Sequence, residues 1–193
     1  QLLETNEKTD FIINVSPHDH FRICDSSGPE IPNLRPALSV ADRNAPQRVV
    51  KRLLHLAQYR NVRELENLDP FSPLLRKFSV ELLGVQADYK MGEPLRPHPV
   101  AETHGTPSVR VGEWMFLRAR NHYTTVEGIT LNVTVLNLRP DWSIQQVFPS
   151  RAGLFDTLEP TQELSVPLRF ELPDGYDEGI DVIKFVATVT PAD

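Results

Sequence analysis

A mainly β chain, an antiparallel Ig-like β-sandwich with an N-terminal hairpin and one amphipathic helix packed against it, is the fold class this sequence predicts. Beyond Pro73, apolar and polar residues alternate with a period of two through a series of short segments. Turn-forming residues separate those segments, with no helical pattern between them. One stretch, about 45–59, instead carries apolar residues at the i, i+3, i+4 and i+7 spacings of a helix. The chain accordingly divides into an N-terminal extension, residues 1–67, and a sandwich domain, residues 68–193.

In the extension, Phe11 to Val15 and Phe21 to Cys24 are strand candidates separated by Ser16-Pro17-His18-Asp19, the spacing of a hairpin. Ser26-Ser27-Gly28-Pro29, followed by Pro32 and Pro36, predicts an irregular connection, because proline fixes φ and lacks the amide donor. Asn44 can cap the helix and Pro46 is tolerated in its first turn. Val49, Leu53 and Leu56 form its apolar stripe, flanked by Val50, Leu54 and Ala57. Such a stripe needs an apolar surface to cover, and the sandwich is the expected one. A second, shorter turn is expected through Val62 to Leu65, ending by Pro70.

In the sandwich, Phe78, Val80 and Leu82 alternate with Ser79 and Glu81, and a Pro-rich, His-containing stretch from Pro94 to Pro107 reads as a long exposed loop. Strands are expected over Trp114 to Arg120, Ile129 to Val135, Trp142 to Phe148, Leu164 to Leu172 and Val182 to Val189. Asn121-His122, Glu127-Gly128, Pro140-Asp141 and Asp174-Gly175 supply the turns. Pro167 cannot donate to a ladder, so its strand belongs at a sheet edge or carries a bulge.

The 193 residues suffice for a core without metal or disulfide staples, and 17 prolines exceed the usual share of about 5%. No apolar run reaches the roughly 18 residues of a membrane span, and no secretory leader is visible, so we expect no membrane association. The opening at Gln1 reads as the start of a piece of a longer protein. The single cysteine, Cys24, excludes an internal disulfide and points to a reducing, cytoplasmic setting. A net charge of −6 argues against nucleic acid as a partner. Against that background Arg43, Arg48, Lys51, Arg52, Arg60 and Arg63 stand with no acidic residue between them. Of the helix residues, Arg48, Lys51, Arg52 and His55 lie away from the apolar stripe, and form a candidate surface for an acidic protein or a neighbouring domain.

Groups with catalytic potential do not assemble into a recognisable set. His18 and His20 could share a metal, but no third ligand stands at a recognisable spacing. Cys24 with His104 lacks the sequence context of a thiol nucleophile. The glycines are isolated rather than grouped into a phosphate-binding loop, and no GxSxG elbow occurs. Asp177 and Glu178 read as solvated turn charges. We therefore expect no catalytic residues, no metal and no cofactor. Trp114 and Trp142 could build a sugar or peptide platform, and Asn132-Val133-Thr134 fits a glycosylation sequon. These leave an extracellular Ig-like adhesion or carbohydrate-binding domain as the alternative.

Val111-Gly112-Glu113-Trp114, the run from Leu136 through Asp141-Trp142 to Phe148-Pro149, and Gly179 to Thr188 resemble an uncharacterised β-sandwich domain appended to microbial caspase-like, metacaspase-type peptidases. Leu53 to Val62 with Leu65-Glu66-Asn67 is similar to the segment preceding that domain. The resemblance implies a C-terminal, non-catalytic accessory domain, whose partner is a caspase-like catalytic domain of the same parent chain with its dyad upstream of Gln1. It assigns no functional residue.

Overall fold

The computed structural model describes residues 10–151 and 153–189. The chain forms two compact units, one reaching to Glu64 and including Pro140–Trp142, the other comprising Leu65–Arg139 and the residues from Ser143 onward. All strand pairings are antiparallel, and the described residues contain one helix.

In the first unit, β1 (Phe11–Val15) pairs with β2 (His20–Asp25) from Phe11↔Asp25 to Val15↔Phe21, and β3 (Leu38–Ser39) joins the other edge of β2. Asp19 closes the hairpin at φ 56°, a left-handed conformation that Asp tolerates. Ser16 Oγ accepts the amides of His18 and His20 at 3.3 and 3.2 Å. The helix α1 (Ala45–Glu64) runs unbroken through the stretch expected to form a separate turn. Ala45, Val49, Leu56 and Tyr59 are buried along it. The first three cluster with Ile23, Ile31 and Leu38, flanked by the half-buried Phe11, Phe21 and Leu34.

The apolar surface covered by this stripe is the small sheet of its own unit. The hairpin and the proline-bearing connection contribute enough large side chains to close a core. Trp142 belongs to the same cluster. Its indole N–H donates to Pro32 O at 2.8 Å, and its ring meets Tyr59 edge-on at 5.0 Å.

The second unit is a sandwich. One layer is ordered β11 (Glu163–Arg169), β7 (Trp114–Asn121), β4 (Phe78–Gln86). The other centres on β8 (Leu131–Leu138), with β12 (Val182–Val189) along one edge. β9 (Ile144–Phe148) pairs with the Val135–Leu138 part of β8, and β10 (Asp156–Leu158) with its Leu131–Val133 part. Leu131, Val133 and Val135 of β8 are wholly buried, Val135 against Leu117, Val166 and Leu168 of the facing layer, and Leu131 and Val133 with Tyr123 and Leu158, flanked by Phe78 and Leu164. Each such aliphatic side chain removed from water stabilises by roughly 1.5–3 kcal/mol. Pro167 lies on the edge strand β11, where a missing amide is harmless.

Two sequence expectations need correction here. The stretch expected to be a loop, 94–107, contains most of a small hairpin, β5 (Ala101–Thr103) with β6 (Thr106–Ser108), turned by His104 and Gly105 at positive φ. Trp142 is not in a strand, because it sits at φ 69° before β9 begins at Ile144.

Three local devices hold the sandwich. Asn121 is fully buried on the inward face of β7, and its amide donates to Ile129 O at 3.0 Å and Leu158 O at 2.8 Å. Its Oδ1 accepts the Tyr123 amide at 2.9 Å, so every contact is satisfied. Gly84 marks a bulge in β4, at φ 133°. Val85 beside it forms a bridge with His98, and a Cβ on Gly84 would stand 2.2 Å from His98 O. Glu127 accepts from Lys77 Nζ at 2.7 Å, and from the Thr124 amide and hydroxyl at 2.7 and 2.9 Å. The Lys77 bond first, then the Thr124 bonds, pull its carboxyl down to about 2.

Replacing Asn121 by Leu strands two carbonyls and an amide, and a loss of about 3 kcal/mol is expected in urea unfolding. Gly84→Ala combines a forbidden φ with a backbone clash, and a drop of about 2–4 kcal/mol is expected in the same measurement. Because the folded carboxyl of Glu127 titrates below its unfolded value, its contribution is complete above pH 4.5 and disappears as pH falls towards 2. Glu127→Gln should therefore flatten the acid limb of thermal stability between those pH values, as read by circular dichroism.

Candidate functional site

Helical geometry places Arg48, Lys51, Arg52 and His55 on one face of α1, since residues three and four apart are surface neighbours. Arg48, Lys51 and His55 are exposed, whereas Arg52 is half-buried. Arg48 is partly neutralised by Asp42, 3.4 Å away. Arg52 folds against the body of the unit and donates to Pro36 O. Desolvation, and next the charge of Arg48, lower its pKa from the normal guanidinium value. Arg52 thus has a structural task as well as a charge, which sequence spacing could not reveal.

Among the described residues, Lys51 and Arg43 make no ion pair. Arg60, in the same cationic run, is engaged elsewhere, 3.3 Å from Asp10 and with its guanidinium 4.4 Å from the centre of the Phe11 ring. The run is therefore split: Arg60 ties down β1 and Arg52 the connection before the helix, whereas Arg43, Arg48, Lys51 and Arg63 are exposed.

Arg52 also lines a cleft of about 400 Å³ in the same unit. Phe21, Leu34, Leu38 and Val49 supply its apolar lining, and Ser16, His18, His20, Arg22 and Glu30 its polar part. Arg22 Nε lies 2.6 Å from Glu30 Oε2, an ion pair in distance although the N–H is not aligned for a hydrogen bond. The sequence offered no sign of this cleft, because its walls come from β2, the connection after it and α1. Its chemistry, an apolar floor with cations at the side, suits an acidic segment carrying an apolar anchor.

The remaining candidates separate. His18 and His20 both line the cleft, but no group of three or more His, Cys, Asp or Glu able to hold a metal occurs among the described residues. Cys24 is 1% exposed in β2, with Asn14 Nδ2 3.7 Å from its sulfur. That is the setting of an inert core thiol. His104 lies in the turn between β5 and β6 of the second unit.

Trp142 is committed to Tyr59 and Pro32, so its ring is not a free platform. Trp114 is half-buried under Tyr89, whose ring also meets Phe116 edge-on at 4.9 Å. A smaller cleft in the second unit, about 260 Å³, is lined by Asn137, Gln146, Arg169 and Phe170. Gln146 spends its amide on the carbonyls of Pro149, Arg151 and Leu154, pinning the loop after β9.

No helix among the described residues is long and apolar enough to cross a membrane. Comparison of the chain with protein-family models, with curated proteins and with solved structures finds no match in any of the three.

Proposed function

We propose that this chain is a non-catalytic protein-binding module whose docking surface is the basic face of α1 together with the cleft bordered by Arg52. The observation that carries the reading is the placement of Arg48, Lys51 and His55 in solvent on one helix face, in a chain of net charge −6. Like charge on a rigid element, here Lys51 without an ion pair among the described residues and Arg48 only partly neutralised by Asp42, attracts an oppositely charged partner and speeds its encounter. The adjoining apolar lining gives such a partner something to bury, because exposed charge pairs alone contribute little affinity.

The partner is then a protein presenting an acidic stretch with an apolar residue beside it. In the setting implied by the resemblance to caspase-associated domains, that partner is a metacaspase-type catalytic domain of the same parent chain, in the cytoplasm. The module regulates or recruits, and the reacting groups lie on the partner.

The test is binding of a fluorescein-labelled peptide of glutamates around a single leucine, alongside co-purification with a metacaspase-type catalytic domain. Arg48→Glu/Lys51→Glu/His55→Glu leaves the structural Arg52 in place. It should weaken both interactions at least about tenfold at low ionic strength, with the difference shrinking as salt rises. Equal binding by the variant and the parent chain would rule the surface out.

A further inference from the structure

The two buried asparagines of the sandwich differ in one respect. Asn121 has its amide and its oxygen matched within the chain. Asn137, only 8% exposed, carries an Oδ1 that accepts no hydrogen bond among the described residues. The other unmatched buried side-chain atom among them, Arg22 Nε, at least has the Glu30 carboxylate 2.6 Å away. Native interiors match the large majority of such atoms, so the exception calls for a partner from outside the chain.

Strand periodicity makes the position of Asn137 unusual. Leu131, Val133 and Val135 take the inward positions of β8, and Asn137 takes the next one, where an aliphatic side chain would extend the core. Its directly opposite neighbours are Gln145 on β9 and Ile183 on β12. Residues paired in this way share a face of the sheet, so the three form one row across three strands. The row lines the cleft of about 260 Å³, together with Val147 of β9 and with Phe170, one residue past the end of β11. The aliphatic row of β8 therefore stops at Val135, and an amide borders the space beyond it.

The lining defines what fits. Asn137 Oδ1 needs a hydrogen-bond donor. Val147, Phe170 and Ile183 supply an apolar wall, so the occupant brings a C–H face as well as polar groups. Arg169 is the one formal charge in the lining. It is exposed, its Nε donates to Gly112 O at 3.3 Å, and it makes no ion pair among the described residues. No carboxylate is in the described lining, so a cation entering the cleft would lose water without gaining a counter-charge. The volume falls below the roughly 300–1,000 Å³ of sites for drug-sized molecules, which limits the occupant to a single small ring. A hydroxyl both donates and accepts, as a primary amide does. Hydroxyls around such a ring can therefore serve Asn137 Oδ1, the Gln145 amide and the Arg169 guanidinium together.

We propose that this cleft binds one uncharged pyranose ring, with a hydroxyl donating to Asn137 Oδ1 and an apolar face of the sugar against Phe170 and Ile183. Asn137 is then a residue kept polar for its ligand, in a place where the fold alone would favour an aliphatic side chain. Neither tryptophan takes part. The cleft lies within the second unit, and its occupancy is independent of the basic face of α1.

Amide NMR of the 193-residue chain, titrated with the methyl pyranosides of glucose, galactose and mannose at millimolar concentration, tests it. Saturable shifts are expected with at least one of the three, at Asn137, Gln145 and Phe170. Glucosamine, whose ammonium finds no carboxylate, should give none. Asn137→Leu should weaken binding at least about tenfold, yet leave the urea midpoint equal to that of the parent or higher, because it removes an unmatched acceptor. A merely structural asparagine would respond as Asn121 does, with a lower midpoint. Gln145→Ala, at an exposed position, should weaken binding about threefold at the parent midpoint, and it serves if Asn137→Leu does not fold. Absence of saturable shifts with all three glycosides, as when Oδ1 takes only a water molecule, would overturn the proposal. So would shifts centred away from the cleft, or binding that neither variant weakens.

Discussion

Burial of alternate side chains of β8 between two layers is the constraint on which the second unit is built. Leu131, Val133 and Val135 are completely withdrawn from water, and this requires a partner strand on each side and an apolar layer above. β12 supplies one side along the full length of β8. The other side is shared by two shorter strands, because the chain leaves the sheet between Phe148 and Asp156 through the loop held by Gln146. Neither short strand would be stable alone, and each is held by the ladder it completes.

Two polar side chains are buried among the described residues, Asn121 and Asn137, and the first has a structural reason. Asn121 ends β7 where the chain turns towards β8, and its amide meets the carbonyl of Ile129, late in that turn, and that of Leu158 in β10, while its oxygen takes the Tyr123 amide. Buried polar side chains are tolerated when each donor and acceptor is matched, and a matched one selects a single arrangement of the loops around it. In the first unit the half-buried Trp142 packs against the core and gives its indole N–H to Pro32 O.

Each unit also presents an open surface. In the first unit an amphipathic helix turns its stripe onto a small sheet and leaves cations in solvent beside a cleft. In the second, the outer edge of β12 has no strand partner among the described residues, and Val80 and Leu82 of β4 are partly exposed. The first is a feature of charge and salt, the second of main-chain hydrogen bonding and alternation.

Period-two alternation, the helical stripe at Val49, Leu53 and Leu56, and proline placement are local properties, and from them the sequence by itself determined the mainly β class, the single helix and the edge position of Pro167. Those signals persist because the pleat and the helical turn impose their periods regardless of what packs on them. Arg48, Lys51, Arg52 and His55 were legible as one face for the same reason. Only the tertiary structure decided which surface the stripe covers, that Arg52 is drawn to Pro36 O and that Trp142 seals a core. It alone showed that Asn121 is an internal anchor rather than a turn residue, and that Val80 and Leu82 stay partly exposed on the side of β4 they share with Ala119 and Leu117. Each of these depends on groups far apart in the chain meeting in space, and no local pattern carries that information.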